Sequence, residues 1–258
     1  MSAVTASAVA QLRARTGVSI LACKQALDEA GGDEEKAIEI LRKRGIAQAV
    51  KKADREQTEG ALFVAQNPTT AAIVQLKCET DFVARSDDFL ALGKEIAEYL
   101  LQNGLAKAQE MLAKRLPEAI QKLGENISVG EMQEIQAPVT GSYVHSNRKI
   151  AVVVGLDPKG DPTKAKDVAM HAAAMNPLYV HPDDVPAEAI AKEREIWTAQ
   201  MKDEKKPAAI LEKIMTGKER KFREENALVK QAFVKDPTMT IEKYLNGAAV
   251  TTYVRVTI

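Results

Sequence analysis

The first fifty positions carry short apolar stripes at helical spacing, separated by breaks. Val4, Ala8, Val9 and Leu12 share one face of a helix that should end near Thr16-Gly17. Ser19 stands at a capping position ahead of Ile20, Leu21, Lys24 and Leu27, and Gly31-Gly32 closes that second helix. Asp33 caps a third helix with Ala37, Ile38 and Leu41 on one face and Gly45 near its end. A three-helix unit of this size has a marginal core of its own, so part of its surface is expected to rest on something else.

Residues 51–60 are polar and show no apolar face, which predicts a linker. Beyond it the period becomes strand-like. Residues 61–66 and 71–79 form a hairpin around Asn67-Pro68. A helix with Phe89, Leu92, Ile96, Leu100 and Leu101 on one side follows, begun by Ser86 and the dipole-favoured Asp87-Asp88. Two further helices are expected over 106–114 and 117–123, and an extended return over 126–135. Ala137-Pro138 opens a second β-rich section with strands at 139–146 and 149–156, a helix at 163–175 and a last strand at 248–258. Between them, Pro186 and Pro207 each begin a helix in a stretch of alternating charge. Ile190, Trp197 and Met201 on one helix face Leu211, Ile214, Met215 and Phe222 on the other, a narrow seam that suits a protruding antiparallel hairpin. The fold class is therefore α+β with antiparallel sheets: a three-helix domain at 1–50, a linker at 51–60, core subdomains at 61–137 and 138–258, and a helical hairpin inserted at 185–225.

The chain has 258 residues, with Lys plus Arg and Asp plus Glu both at 36. A net charge of zero supplies no global field for nucleic acid or acidic lipid, so any partner is recognised locally. The longest apolar runs, such as Ile150 to Leu156, are far too short to span a bilayer, and no basic-then-apolar leader opens the chain; a cytoplasmic location is expected. Cys23 and Cys78 are far apart with no C-x-x-C, and read as small buried apolar residues. His145, His171 and His181 are isolated, and His171 sits in the apolar run Ala169 to Met175 as a packed helix histidine. Neither G-x-G-x-x-G nor G-x-S-x-G occurs, and Gly155 and Gly160, at phosphate-loop spacing, are followed by Asp161-Pro162 rather than Lys and Ser or Thr. No metal, cofactor or acid, base and nucleophile cluster is expected, and hence no enzyme.

Thr80-Asp81-Phe82-Val83 stands out at a predicted strand-to-helix junction, where a polar loop is the norm. Two readings remain open from pattern alone. Phe82 and Val83 fold back onto the local core, or Phe82 is a wedge for an apolar pocket on a partner while Asp81 competes with groups around the partner's anion or metal site.

At this motif the chain resembles the elongation factor Ts family, guanine-nucleotide exchange factors of elongation factor Tu. The matching stretches are Arg15-Thr16-Gly17, Cys23 to Leu27, Gly32-Asp33, Cys78 to Ala84, Gly124-Glu125-Asn126, Gly141-Ser142-Tyr143 and Ala169-Met170-His171, in family order along nearly the whole chain. The resemblance implies a ubiquitin-associated-like N-terminal domain, two α+β core subdomains and an inserted helical hairpin. It also implies that Asp81 and Phe82, flanked by Thr80 and Val83, push on elongation factor Tu so that the magnesium held with GDP is dislodged. His145 takes the place of a secondary partner contact after G-S-Y. Ile20 and Leu21 take the place of an apolar pair in the N-terminal domain that touches the partner, with Ala22 where members carry an acidic residue. Some members continue into a C-terminal helical module. This sequence ends at Ile258, so one anchoring contact is expected to be absent or supplied by the hairpin. The implied partner is elongation factor Tu, GDP-bound and nucleotide-free, with no direct contact to nucleic acid or membrane, and self-association stays open. Competing readings are a three-helix adaptor for peptide or ubiquitin-like partners, which would bind through residues 1–50 alone, an enzyme with an unrecognised site, and an RNA binder.

Overall fold

The computed structural model describes residues 4–201 and 207–258. Residues 1–3, part of the start of the chain for which no leader is expected, and residues 202–206, within the expected hairpin, lie outside them.

Three capped helices open the chain. In α1 (Ala6–Thr16) the Thr5 hydroxyl accepts the Ala8 amide, and Gly17 closes the helix at φ 67°. Ser19 and Asp33 do the same capping work for α2 (Ile20–Glu29) and α3 (Glu34–Lys52). Val9, Leu12, Val18, Cys23, Ala26, Leu27, Ala37 and Leu41 form their small core. The third helix does not stop near Gly45, as its glycine suggested, but runs seven residues further, into the expected linker. Gly45 is buried, and a Cβ there would lie 3.1 Å from the Pro117 carbonyl oxygen. The missing side chain serves a close helix-to-helix approach rather than a C-cap, and the support expected for this unit is the long helix of the next section.

β1 (Glu59–Gln66) and β2 (Thr70–Cys78) pair as the expected hairpin, its turn fastened by Asn67 Oδ1 accepting the Thr69 and Thr70 amides. A single helical turn, α4 (Asp81–Ala84), leads into α5 (Asp87–Leu123), capped by Ser86. Three separate helices were expected here. The structure has one run broken only at Gly104 (φ 77°, ψ 172°), with Pro117 inside its second part. Proline removes one helical hydrogen bond, but Leu112 and Ile120 on either side are buried in the core, and α3 packs closely at Gly45 on the Pro117 carbonyl, which holds the helix through it. β3 (Ser128–Gln136) completes an antiparallel sheet in the order β1-β2-β3.

The second section repeats the plan. β4 (Val139–Val144) and β5 (Ile150–Leu156) form a hairpin covered by α6 (Pro162–Met175). After it come α7 (Ala187–Gln200) and α8 (Ala208–Asn226), closed over Trp197, Met201 and Met215 with Leu211, Ile214 and Phe222. The rings of Trp197 and Phe222 meet edge to face at 6.0 Å. A small ribbon of β6 (Ala232–Phe233) and β7 (Asp236–Thr240) and the one-turn α9 (Ile241–Leu245) follow, neither anticipated, because segments of two to five residues are too short for a period to show. β8 (Val250–Thr257) then joins β5 in the order β4-β5-β8. The expected α+β class with small antiparallel sheets is the class observed.

Alternation along the strands sorts side chains into three apolar layers. Ala61, Phe63, Ala72 and Val74 face α5, whereas Val152, Val154 and Leu156 face α6. Leu62, Ala71, Ile73, Ala151, Val153 and Val256 meet between the two sheets. Polar ties cross the same boundary: the Leu62 amide donates to the Arg148 carbonyl at 2.9 Å, and Gln75 Nε2 to the Thr257 carbonyl at 2.8 Å. The β2-to-α5 junction therefore stands on a body that is packed on both sides.

Candidate functional site

The stretch from Thr80 to Val83 is not a loop. Thr80 is extended (φ −126°, ψ 156°), and its hydroxyl accepts the Val83 amide at 3.4 Å, starting the single turn of α4. Residues two apart on a helix point to nearly opposite sides, and α4 uses this. Ala84 is buried, Val83 packs half-buried against the core under α5, and Phe82 is 83 % exposed. The two readings left open by the sequence thus divide between neighbours: Val83 folds back and Phe82 does not. Asp81 is half-exposed and pairs with Arg85 at 3.1 Å, an ion pair so open to solvent that it adds little.

Val83 and Ala84 seat the back of the turn on the core, and its first residue is fastened by a carboxylate 45 residues away. Glu125 Oε2 accepts both the Glu79 and the Thr80 amides at 3.0 Å, while the Thr80 hydroxyl donates to Oε1 at 2.5 Å. In return the Glu79 carboxylate accepts the Asn126 amide at 2.7 Å. The buried Asn126 side chain donates to the carbonyls of Ala53 and Arg55, at 3.2 and 3.0 Å, just past the end of α3. Lys52 Nζ donates to the Gly124 carbonyl at 2.7 Å, and burial, with Arg55 nearby, lowers the pKa of that amine. Sequence reasoning gave Glu125 and Asn126 no role. They stood in the matching stretch Gly124-Glu125-Asn126, directly after the left-handed residue that ends α5, but nothing in that stretch pointed to Thr80.

Cys78 Sγ lies 3.2 Å from the Thr80 carbonyl and donates to it. Burial, with Glu125 adding to it, pushes the thiol up to about 12, so it stays protonated and is no nucleophile at neutral pH. Cys23 is also free and buried, as expected of both cysteines.

The remaining candidates sit on other elements. Ile20 and Leu21, 57 % and 65 % exposed, open α2 beside a shallow groove lined by Val4, Val9, Ala10 and Lys24. Ala22 follows them half-buried. His145 is exposed just past the end of β4, its Nδ1 3.2 Å from the Tyr143 hydroxyl. No hydrogen bond or ion pair links these residues to Thr80–Val83 among the described residues. His171 is a packed helix histidine, as its apolar surroundings predicted. Its Nδ1 accepts the Val234 amide, which leaves Nε2–H to donate to Gln231, and burial lowers its pKa. Among the described residues, no three His, Cys, Asp or Glu side chains are grouped to hold a metal, and no helix is long and apolar enough to cross a membrane.

Comparison with known proteins bears on nearly the whole chain. Residues 79–258 match the model of the family described as Elongation factor TS. A protein named Elongation factor Ts from Marinobacter nauticus is 45 % identical over 254 residues, spanning 96 % of this chain and 88 % of the relative. One of the same name from Hydrogenovibrio crunogenus is 43 % identical over 268 residues, spanning 98 % and 90 %.

Proposed function

This chain belongs to the elongation factor Ts family, and from that membership we propose how it carries out the nucleotide exchange on elongation factor Tu that the family implies. The observation that carries the reading is an aromatic ring left almost wholly in water on a turn clamped from below. A solvated phenylalanine brings nothing to its own fold. Transferred into an apolar pocket of the partner it gains about 1.5–3 kcal/mol. If that pocket is open only in a conformation that has lost its magnesium and phosphate contacts, the whole gain favours that conformation. Asp81 beside the ring adds a negative charge that disfavours the phosphate oxygens and competes for their cation.

Release of GDP is then a coupling effect in which no bond is made or broken. Whatever ratio this protein imposes on the affinity of the partner for GDP, GDP imposes on the affinity of the partner for this protein. Both GDP-bound and nucleotide-free elongation factor Tu are ligands, the second the tighter. Ile20, Leu21 and His145 supply secondary contacts away from the nucleotide and set total affinity rather than the ratio. The three-helix unit, the two core subdomains and the hairpin act as one platform in the cytoplasm, with no direct contact to nucleic acid, and self-association is compatible with this role.

The test is release of fluorescent GDP from elongation factor Tu in magnesium buffer, with catalytic amounts of this protein or its Phe82→Ala variant. Fast release that depends on Phe82 supports the wedge. No acceleration by the unaltered protein refutes the exchange reading and favours the adaptor, which residues 1–50 alone would then reproduce.

A further inference from the structure

A four-residue helix cannot hold itself. Nucleating a helical turn fixes several dihedrals for a single hydrogen bond, and the Thr80 cap of α4 is a long 3.4 Å contact. Val83 and Ala84 seat the back of the turn on the core, but Phe82 adds no burial and Asp81 pairs with the exposed Arg85. Yet the direction in which Phe82 leaves the surface depends on this turn. We infer that Glu125 is the positioning residue of the Phe82 turn, its carboxylate fixing Thr80 so that the ring is held out in the one direction useful to a partner. This rests on the reading of Phe82 as the group presented to elongation factor Tu.

The geometry supports a dedicated holder. Both carboxylate oxygens are used, Oε2 by two successive amides and Oε1 by the hydroxyl that also caps α4. The Thr80 hydroxyl therefore has one orientation, its hydrogen toward Glu125 and a lone pair toward the Val83 amide. Glu125 itself is pinned from behind, by Lys52 on the Gly124 carbonyl and by Asn126 on Glu79, Ala53 and Arg55. The support of the turn thus reaches the end of α3, and the three-helix unit and the Phe82 turn share a hydrogen-bonded junction. A carboxylate that only satisfied stray amides would not need so rigid a seat.

The test combines two readouts on the full chain. In Glu125→Ala, hydrogen exchange of the Thr80–Ala84 amides should speed up about tenfold while amides of α6 keep their protection, and catalysed GDP release should fall about tenfold. Glu125→Gln keeps an oxygen for the two amides and a polar group toward Thr80, and should stay within about threefold of the parent in both. In a Phe82→Ala background, Glu125→Ala should slow release no further, because the group it positions is gone. Parent-like amide protection in Glu125→Ala, or losses that multiply in the double variant, would overturn the inference. A Phe82→Ala variant that releases GDP at the parent rate overturns the reading underneath and the inference with it, and faster Thr80–Ala84 exchange in Glu125→Ala then marks the underlying reading as the part that failed.

Discussion

Two helical glycines should respond to the same substitution with opposite signs. At Gly93 in α5, a Cβ would lie 2.1, 2.3 and 2.4 Å from three ring atoms of Phe63. Carbon atoms in contact prefer about 3.5–4.0 Å, so the ring must retreat by more than about 1 Å. It has nowhere to go: Phe63 is fully buried, Phe89 stands 6.4 Å away, and the Arg148 guanidinium covers the ring at 5.5 Å. Overpacking of this kind costs about 1–3 kcal/mol, and this overlap belongs at the upper end. Helix propensity returns about 1 kcal/mol for Gly→Ala. The expected net loss for Gly93→Ala is about 2 kcal/mol, or about 4–8 °C in Tm at this chain length. At Gly217 in α8, a Cβ meets nothing within 4 Å, so only propensity remains, and Gly217→Ala should stabilise the hairpin by about 0.5–1 kcal/mol. Urea unfolding followed by circular dichroism reads the first, and amide exchange within α8 the second. A Gly93→Ala protein as stable as the parent would refute the claim that β1 and α5 meet through the missing side chain.

Phe82→Ala should change global stability by less than about 0.5 kcal/mol, whereas Phe89→Ala, seven residues on and fully buried, should cost about 3–5 kcal/mol; urea midpoints of the two variants check the contrast. Burial lowers the His171 pKa, so the unfolded chain binds the proton more readily. Its contribution to stability is complete above the unfolded value of about 6.5 and is lost as pH falls from there through the folded value. Replacing His171 with Gln should flatten the stability profile on the acid side of that point, and an unchanged profile would count against it. Neither Cys78 nor Cys23 should react with iodoacetamide at pH 8 until denaturant is added, because both thiols are buried and Cys78 is held protonated; mass spectrometry of labelled native protein decides it.

Where one signal spoke with one meaning, the chain was legible. Ser19, Asp33 and Ser86 each cap the helix expected of them, and the strand-like stretches on either side of Asn67-Pro68 gave the hairpin. Gly45 and Pro117 misled for a common reason. Each is a breaker by intrinsic preference, but tertiary packing of α3 on α5 overrides it, and that contact is invisible until both helices are placed. The site was legible only as far as its motif. Thr80 to Val83 could be picked out as odd, but which of two adjacent apolar residues stays in water depends on the phase of one short turn. The carboxylate that sets this phase is 45 residues away, and no local pattern ties Glu125 to Thr80.

The two sheets share one apolar layer, so neither can slide without opening Leu62, Ile73, Val153 and Val256 to water. From α5 through both sheets to α6 the molecule therefore has little compliance, much as an anvil has. If Phe82 is pressed against a partner as proposed, the thrust it returns meets a body packed on both sides of its sheets. On the proposed reading, work spent at the interface would then go into the partner rather than into rearranging the two sheets beneath Phe82.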